Sequence, residues 1–247
     1  MEWFEDESFW RELYPYMFTE ERWAAAPREV DQILALTGFE GRAILDVACG
    51  PGRHSVELAK RGYELTGVDR TAFLIEIGKD RARQAGVLVD WVQSDMREFV
   101  RPNSFDLALS MFTSLGYFET NEEERRVLRN IRESLRPGGT LLVEMAAKER
   151  LAEIWLPANR HNFPDGAVLF ESREVYDDWS RIRQEWMLVK DGRARTFPFT
   201  HSIFSGRELK MELLACGFGE VRLFGDLLGS PFGMGALRLV ALAKRIG

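Results

Sequence analysis

An α/β fold is predicted, in which a mostly parallel seven-stranded sheet carries helices on both faces and a small antiparallel β-sheet is inserted near its end. Three observations predict it. Over residues 41–147 short β-rich apolar runs alternate with runs of helical period. A glycine corner, Gly50-Pro51-Gly52, joins the first strand to the first helix. After a stretch of different rhythm at 148–204, residues 205–247 return to the alternation and complete the core. Strands separated by helices pair in parallel through right-handed crossovers, and such sheets bind ligands beyond the carboxyl ends of their strands.

The first strand is the run ILDVA at 44–48, followed by a helix on HSVELAKR that Gly62 stops as a C-terminal cap. Residues 63–68 read as the second strand. A helix over 71–85 carries Phe73, Leu74 and Ile77 at helical spacing and ends before Gly86. Residues 89–92 form a short third strand ending at Ser-Asp-Met, and FDLALSMF at 105–112 forms the fourth. Thr120 and Glu123 have capping-box spacing ahead of a helix that turns Val127, Leu128, Ile131 and Leu135 inward. Arg136-Pro137-Gly138-Gly139 ends that helix, and TLLVEMAA is strand five.

The 57 residues from 148 to 204 are too many for a structureless loop. AVLFESREVY, RIRQEWMLVK and RTFPFTHSIF are three β-rich runs, separated by DDWS and by Asp191-Gly192, a hairpin signal. They are expected to form the inserted sheet and to act as a lid over a substrate. Ser205 and Glu208 then open a capped helix to about Ala215, Gly217 stops it, and strands near 221–224 and over ALRLVALAKR finish the sheet.

Residues 1–40 hold Trp3, Phe4, Phe9, Trp10, Tyr14, Tyr16, Phe18 and Trp23, ahead of a helix over 27–37 that Gly38 ends. So much aromatic surface is not left in water. It either packs on the flank of the domain or on a second subunit, or forms a flap over the strand ends.

The chain has 33 Lys and Arg against 39 Asp and Glu, a net charge of −6, which argues against nucleic acid as a partner. Basic stretches such as ERRVLRNIRESLR alternate arginine with glutamate and read as a solvated helix face. No run approaches the ~18 apolar residues of a membrane span, and the acidic, aromatic start MEWFEDESFW is the reverse of a secretory signal. A cytoplasmic monomer or homodimer is expected, with no membrane partner. Cys49 and Cys216 lie far apart without metal-ligand spacing, so no metal is expected.

The stretch LDVACGPGRHSVELAKRGYELTGVDR, 45–70, asks for a ligand. It fits the dinucleotide fingerprint loosely, with Ser55 where a third small residue belongs, but Asp46 would oppose a pyrophosphate at the helix start. A cationic ligand suits it better. Gly50 and Gly52 let the backbone approach a ligand where any Cβ would intrude. Asp69 follows Gly52 by 17 residues, close to the spacing at which an acid accepts ribose hydroxyls. Asp95 either caps its own turn or accepts from the ligand.

On these residues the chain resembles the class I S-adenosylmethionine-dependent methyltransferases of small-molecule type. LDVACGPG resembles their first motif, Val-Asp-Arg-Thr at 68–71 the acidic end of their second strand, Gln-Ser-Asp-Met at 93–96 their adenine corner, and RPGG their turn before strand five. The resemblance implies a Rossmann-like core, S-adenosylmethionine as cofactor, S-adenosylhomocysteine as product, and transfer to nitrogen or oxygen of a small molecule. It implies that Asp46 holds the ammonium, that Ala48, Cys49, Gly50 and Gly52 lie along the methionyl and ribose portion, and that Asp69 takes the ribose with Arg70 at the rim. Asp95 and the Met96 N–H would meet the adenine, and Met111 with the residues after it would lie under the methyl. The layout of aromatic start, core and late antiparallel sheet is similar to that of amino-sugar N-methyltransferases, by which Tyr14 and Arg22 would reach the methionyl end.

In-line transfer from an activated cofactor needs positioning above all. A general base helps where the acceptor must lose a proton. His201, in the inserted sheet, is the first candidate and Tyr117 the second, with Phe112, Leu115 and Tyr117 shaping an enclosed, partly apolar acceptor site. His54 is expected to serve packing, and His161 to sit in a loop without a role. Two rival readings stand beside this one: a nicotinamide-dependent NAD(P) oxidoreductase on a related fold, and a non-catalytic S-adenosylmethionine-binding protein with the space before Phe112 filled.

Overall fold

The computed structural model describes residues 2–247. Its main sheet has strands β1 (Ala43–Val47), β2 (Glu64–Asp69), β3 (Asp90–Gln93), β4 (Phe105–Ser110), β5 (Leu135–Met145), β10 (Phe218–Phe224) and β11 (Leu239–Arg245). They lie in the order β10-β11-β5-β4-β1-β2-β3, with β11 antiparallel to both its neighbours and the remaining pairs parallel. Chain order reverses between β1 and β4, which opens a crevice at the carboxyl ends of those two strands.

Helices α1 (Glu7–Met17), α2 (Glu20–Thr37), α3 (Arg53–Lys60), α4 (Ala72–Ala85), α5 (Asn121–Ser134), α6 (Lys148–Glu153) and α7 (Gly206–Ala215) complete the chain together with four inserted strands. The strand period of two splits the core. Ile44 of β1 packs with Val30 and Ile33 of α2 and Leu58 of α3 on one face, whereas Leu45 and Val47 join Val127 and Ile131 of α5 on the other. A strand sandwiched between two helical layers must be apolar on both sides, which is why ILDVA reads as a continuous hydrophobic run.

The inserted sheet is β6 (Ala158–Asn162), β7 (Val168–Tyr176), β8 (Arg181–Lys190) and β9 (Arg193–Ser202), antiparallel throughout. Asp191 and Gly192 take φ of 49° and 71°, the left-handed pair that a two-residue hairpin demands. β6 escapes sequence reading because Ala-Asn-Arg-His-Asn is polar and exposed but for Asn159, without alternation. It places His161 on an edge strand and not in the expected loop.

Two boundaries also move. α2 begins at Glu20, where Thr19 caps the Arg22 N–H and two glutamates fill the first turn, and it runs through Pro27 because burial of Ala26, Val30 and Ile33 outweighs one lost backbone bond. Arg136-Pro137-Gly138-Gly139 falls inside β5: Leu135 already pairs with Phe105, and the ladder slips across Gly138 (φ 81°) before regular pairing resumes at Thr140.

Candidate active site

The carboxyl ends of β1 to β4 open into a cleft of about 1060 Å³, its mouth included. The glycine corner forms its floor. Ala48 and Gly50 turn the chain at φ of 52° and 57°, and the Gly50 N–H donates to Asp69 Oδ2 at 2.8 Å. A Cβ on Gly50 would stand 3.4 Å from the Phe18 ring, so this glycine allows the cleft a close cover. Gly52 has a different task from the one expected of it. It does not line the cleft, and a Cβ there would lie 2.1 Å from the Trp91 ring, so packing against β3 and a φ of 72° require the glycine.

Asp46 and Asp69 line the cleft and are almost completely buried. Ser55 Oγ donates to Asp46 at 2.6 Å, and the Gly50 and Thr71 N–H groups donate to Asp69, each at 2.8 Å. Burial pushes both carboxyls above the ordinary range. Two buried acids held by neutral donors suit a cationic guest and oppose a diphosphate. Beside them Cys49 lines the same wall, its thiol also raised by burial.

Asp95 also lines the cleft, but already carries two arginines. Arg70 Nη1 reaches it at 2.9 Å, and Arg97 Nε and Nη2 at 3.1 and 2.8 Å. Burial raises its carboxyl, and the Arg97 bonds and charge bring it below the usual range. Arg70 is a latch and not an open rim: its Nη2 pairs with Glu5 at 2.6 Å. Ser94 and Met96 complete this edge.

The amino-terminal segment covers the cleft. Phe4, Trp10, Met17, Phe18 and Arg22 all line it. Tyr14 does not, and instead stacks on Phe18 with 5.3 Å between ring centroids. Trp3 Nε1 donates to the Thr200 carbonyl on β9 at 3.0 Å, and Phe9 packs on Trp186, Phe197 and Phe199. The inserted sheet therefore braces this cover from outside, and no residue of it lines the cleft, contrary to a direct lid. His201 shares that fate. Its Nε2 meets Gln184 Nε2 at 2.8 Å and its Nδ1 faces the Ser202 carbonyl at 3.0 Å, and burial lowers its pKa.

At the end of β4, Met111, Phe112, Ser114 and Tyr117 line the cleft. Leu115 is turned away, into a small cavity beside Glu124 and Leu209. Phe112 remains 41% exposed and is ringed by guanidinium groups: Arg53 at 4.3 Å, Arg22 at 5.2 Å and Arg238 at 5.4 Å from its centroid. Arg53 pairs with Glu29, which also meets His54 Nε2 at 2.9 Å, yet Arg53 Nη2 is buried with no hydrogen-bond partner among the described residues. Sequence reasoning missed Arg53. Its one signal was its place directly after Gly-Pro-Gly, at the start of α3.

A family profile described as a methyltransferase domain matches residues 44–139, from β1 to the start of β5. These residues are a methyltransferase domain. The chain is 29% identical over 198 residues to the dTDP-3-amino-3,4,6-trideoxy-alpha-D-glucopyranose N,N-dimethyltransferase of Streptomyces venezuelae, covering 80% of this chain and 70% of that one. Solved structures share the fold. The CcbJ methyltransferase of Streptomyces caelestis superposes with a TM-score of 0.77 at 19% identity, over 90% of both chains. The amino pentose methyltransferase CalS10 of Micromonospora echinaspora, solved with S-adenosylmethionine bound, gives 0.68 at 21% identity over 94% of this chain and 96% of that one.

Proposed function

We propose that the chain transfers a methyl group from S-adenosylmethionine to the nitrogen of a small molecule. The observation that carries this reading is the pair of buried carboxylates, Asp46 and Asp69, on the cleft floor with neutral donors only. Asp46 would hold the ammonium of the cofactor, Arg22 and the unpartnered Arg53 Nη2 its carboxylate, Asp69 its ribose hydroxyls, and Asp95 with the Met96 N–H its adenine edge. Ala48, Cys49 and Gly50 would lie along its length, with Met111 beneath the methyl group. Phe4, Trp10 and Phe18 would exclude water, with Tyr14 buttressing Phe18. The bound cofactor supplies a methyl group already activated on sulfonium.

Nitrogen is favoured over oxygen by what the methyl end lacks. Of the residues after β4 that line the cleft, Tyr117 is the titratable one, and burial, with the charges of Asp69 and Glu124, pushes its phenol above the ordinary range, so that it stays protonated. His201 lies outside the cleft with both ring nitrogens engaged. A hydroxyl acceptor would need a base, whereas a neutral amine offers its lone pair without one. The relative from S. venezuelae is by name an N,N-dimethyltransferase of an amino sugar, which supports the same choice.

The first test is thermal. S-adenosylhomocysteine at about 100 times its Kd should stabilise the protein by about 2.7 kcal/mol, and NAD should leave the melting temperature unchanged. Labelled methyl incorporation across amine-bearing metabolites, compared with their hydroxyl analogues, then identifies the acceptor atom. Stabilisation by NAD alone would transfer the case to the oxidoreductase reading.

A further inference from the structure

The segment that follows β4 is shaped against local preference. Phe112 and Thr113 both take left-handed angles, φ 60° and 59°, and Gly116 stands at φ 103°, where a Cβ would lie 2.5 Å from the Ser202 carbonyl oxygen. Such a loop persists where its surroundings over-determine it. Two buried glutamates grip it from opposite ends. Glu144 on β5 accepts the Phe112 N–H at 2.8 Å. Glu124 on α5 accepts the Phe118 N–H at 2.8 Å. The carbonyls are held from the inserted sheet: the Ser202 N–H donates to Gly116 O at 2.6 Å, and Arg181 Nη1 donates to Phe118 O at 3.3 Å and Glu119 O at 2.6 Å. Tyr117, directly before the amide that Glu124 holds, lines the cleft and packs on Trp3 with 4.8 Å between centroids.

We propose that Glu124 is a positioning residue of the methyl-transfer site, holding Tyr117 against the cofactor cleft through the backbone amide of Phe118. The inference rests on the cofactor reading above and adds to it a side chain that does not line the cleft.

Glu124 is 4% exposed, and its Oε2 is buried without a partner among the described residues. Glu124 borders a small cavity whose walls include Leu115, Leu128, Phe204 and Leu209. Burial pushes its carboxyl up to about 7. The charged groups around it are Glu123 on its own helix, Arg181 on β8, and Glu212 on α7, which Arg125 neutralises at 2.6 Å. Tyr117 on the loop is kept neutral by its own burial. Ionised, Glu124 makes a charge-assisted bond to the Phe118 amide; protonated, it offers a neutral oxygen whose bond is roughly half as strong. The grip on Tyr117 tightens as pH rises through neutrality.

The test combines backbone amide NMR of the ligand-free protein with calorimetry of S-adenosylhomocysteine binding, both between pH 5.5 and 8.5, for the wild type and Glu124→Gln. The Phe118 amide and its neighbours on the loop should titrate near neutrality in the wild type. Affinity for S-adenosylhomocysteine should rise about fivefold over the same midpoint, and Glu124→Gln should abolish both steps. Amides that do not titrate in the wild type overturn the proposal even if the variant fails to fold. So does an affinity step that survives Glu124→Gln, or an affinity that stays flat while the amides titrate. Absence of any S-adenosylhomocysteine binding overturns the cofactor reading separately, and the amide titration, which needs no ligand, still decides whether Glu124 holds the loop.

Discussion

The Gly50 backbone N–H and the Asp69 carboxylate are joined across 2.8 Å, so the acid at the end of β2 shapes the glycine corner beside which the proposed cofactor would lie. Asp69 thereby has two tasks, and its removal should show both. Bonds to a charged acceptor contribute about 1.5–3 kcal/mol each. Asp69→Ala should therefore weaken S-adenosylhomocysteine binding at least tenfold and lower the melting temperature, with Asp69→Asn intermediate in both. Unchanged affinity in calorimetry would remove the ribose assignment.

Gly52 faces protein and not ligand. Gly52→Ala forces a Cβ to within 2.1 Å of Trp91 at a left-handed φ. Overpacking costs about 1–3 kcal/mol, which urea denaturation should register. Trimming the ring in the Gly52→Ala/Trp91→Leu double variant should recover part of the loss relative to Trp91→Leu alone. A Gly52→Ala protein of full stability with reduced cofactor affinity would return Gly52 to the ligand.

Arg53 should read the cofactor's carboxylate. Arg53→Met should weaken S-adenosylhomocysteine binding about tenfold or more, since bonds between charged partners are among the strong ones. Binding of 5′-methylthioadenosine, which has no carboxylate, should change little. Equal losses for both ligands in parallel titrations would make Arg53 a structural residue only.

Glu29 links α2 to α3 in a pH-dependent way. Burial raises its carboxyl, and bonds and charge from His54 and Arg53 outweigh this and bring it to about 2, against 4.5 for the free group. A depressed carboxyl stabilises the fold above the unfolded pKa and loses that contribution as pH falls through the folded one. The wild type should exceed Glu29→Gln in stability by up to about 3 kcal/mol at neutral pH. The gap should close between pH 4.5 and 2. A gap that does not change with acid, followed by chemical denaturation at each pH, would contradict the pairing.

Periodicity and short motifs determined a good deal. ILDVA, FDLALS and the run at 239–245 are buried strands because a sheet with helices on both faces needs residues apolar on both sides. The boxes at Thr120/Glu123 and Ser205/Glu208 start α5 and α7 because a cap is local chemistry, legible within four residues. The acids at 46, 69 and 95 stand on the cleft because the carboxyl ends of β1, β2 and β3 lead there.

Tertiary structure decided what those groups meet. Arg70 and Arg97 converge on Asp95 from different connections, Gly52 answers to a tryptophan 39 residues further on, and Glu124 reaches back to a loop that local sequence leaves unconstrained. The polar edge strand β6 and the bracing of the amino-terminal cover by β9 likewise have no local signature. Secondary structure follows from interactions a few residues apart, which the order of residues displays. The partners of a buried charge and the side of a sheet that an insertion covers follow from contacts across the chain, where only the assembled fold chooses among many partners of similar chemistry.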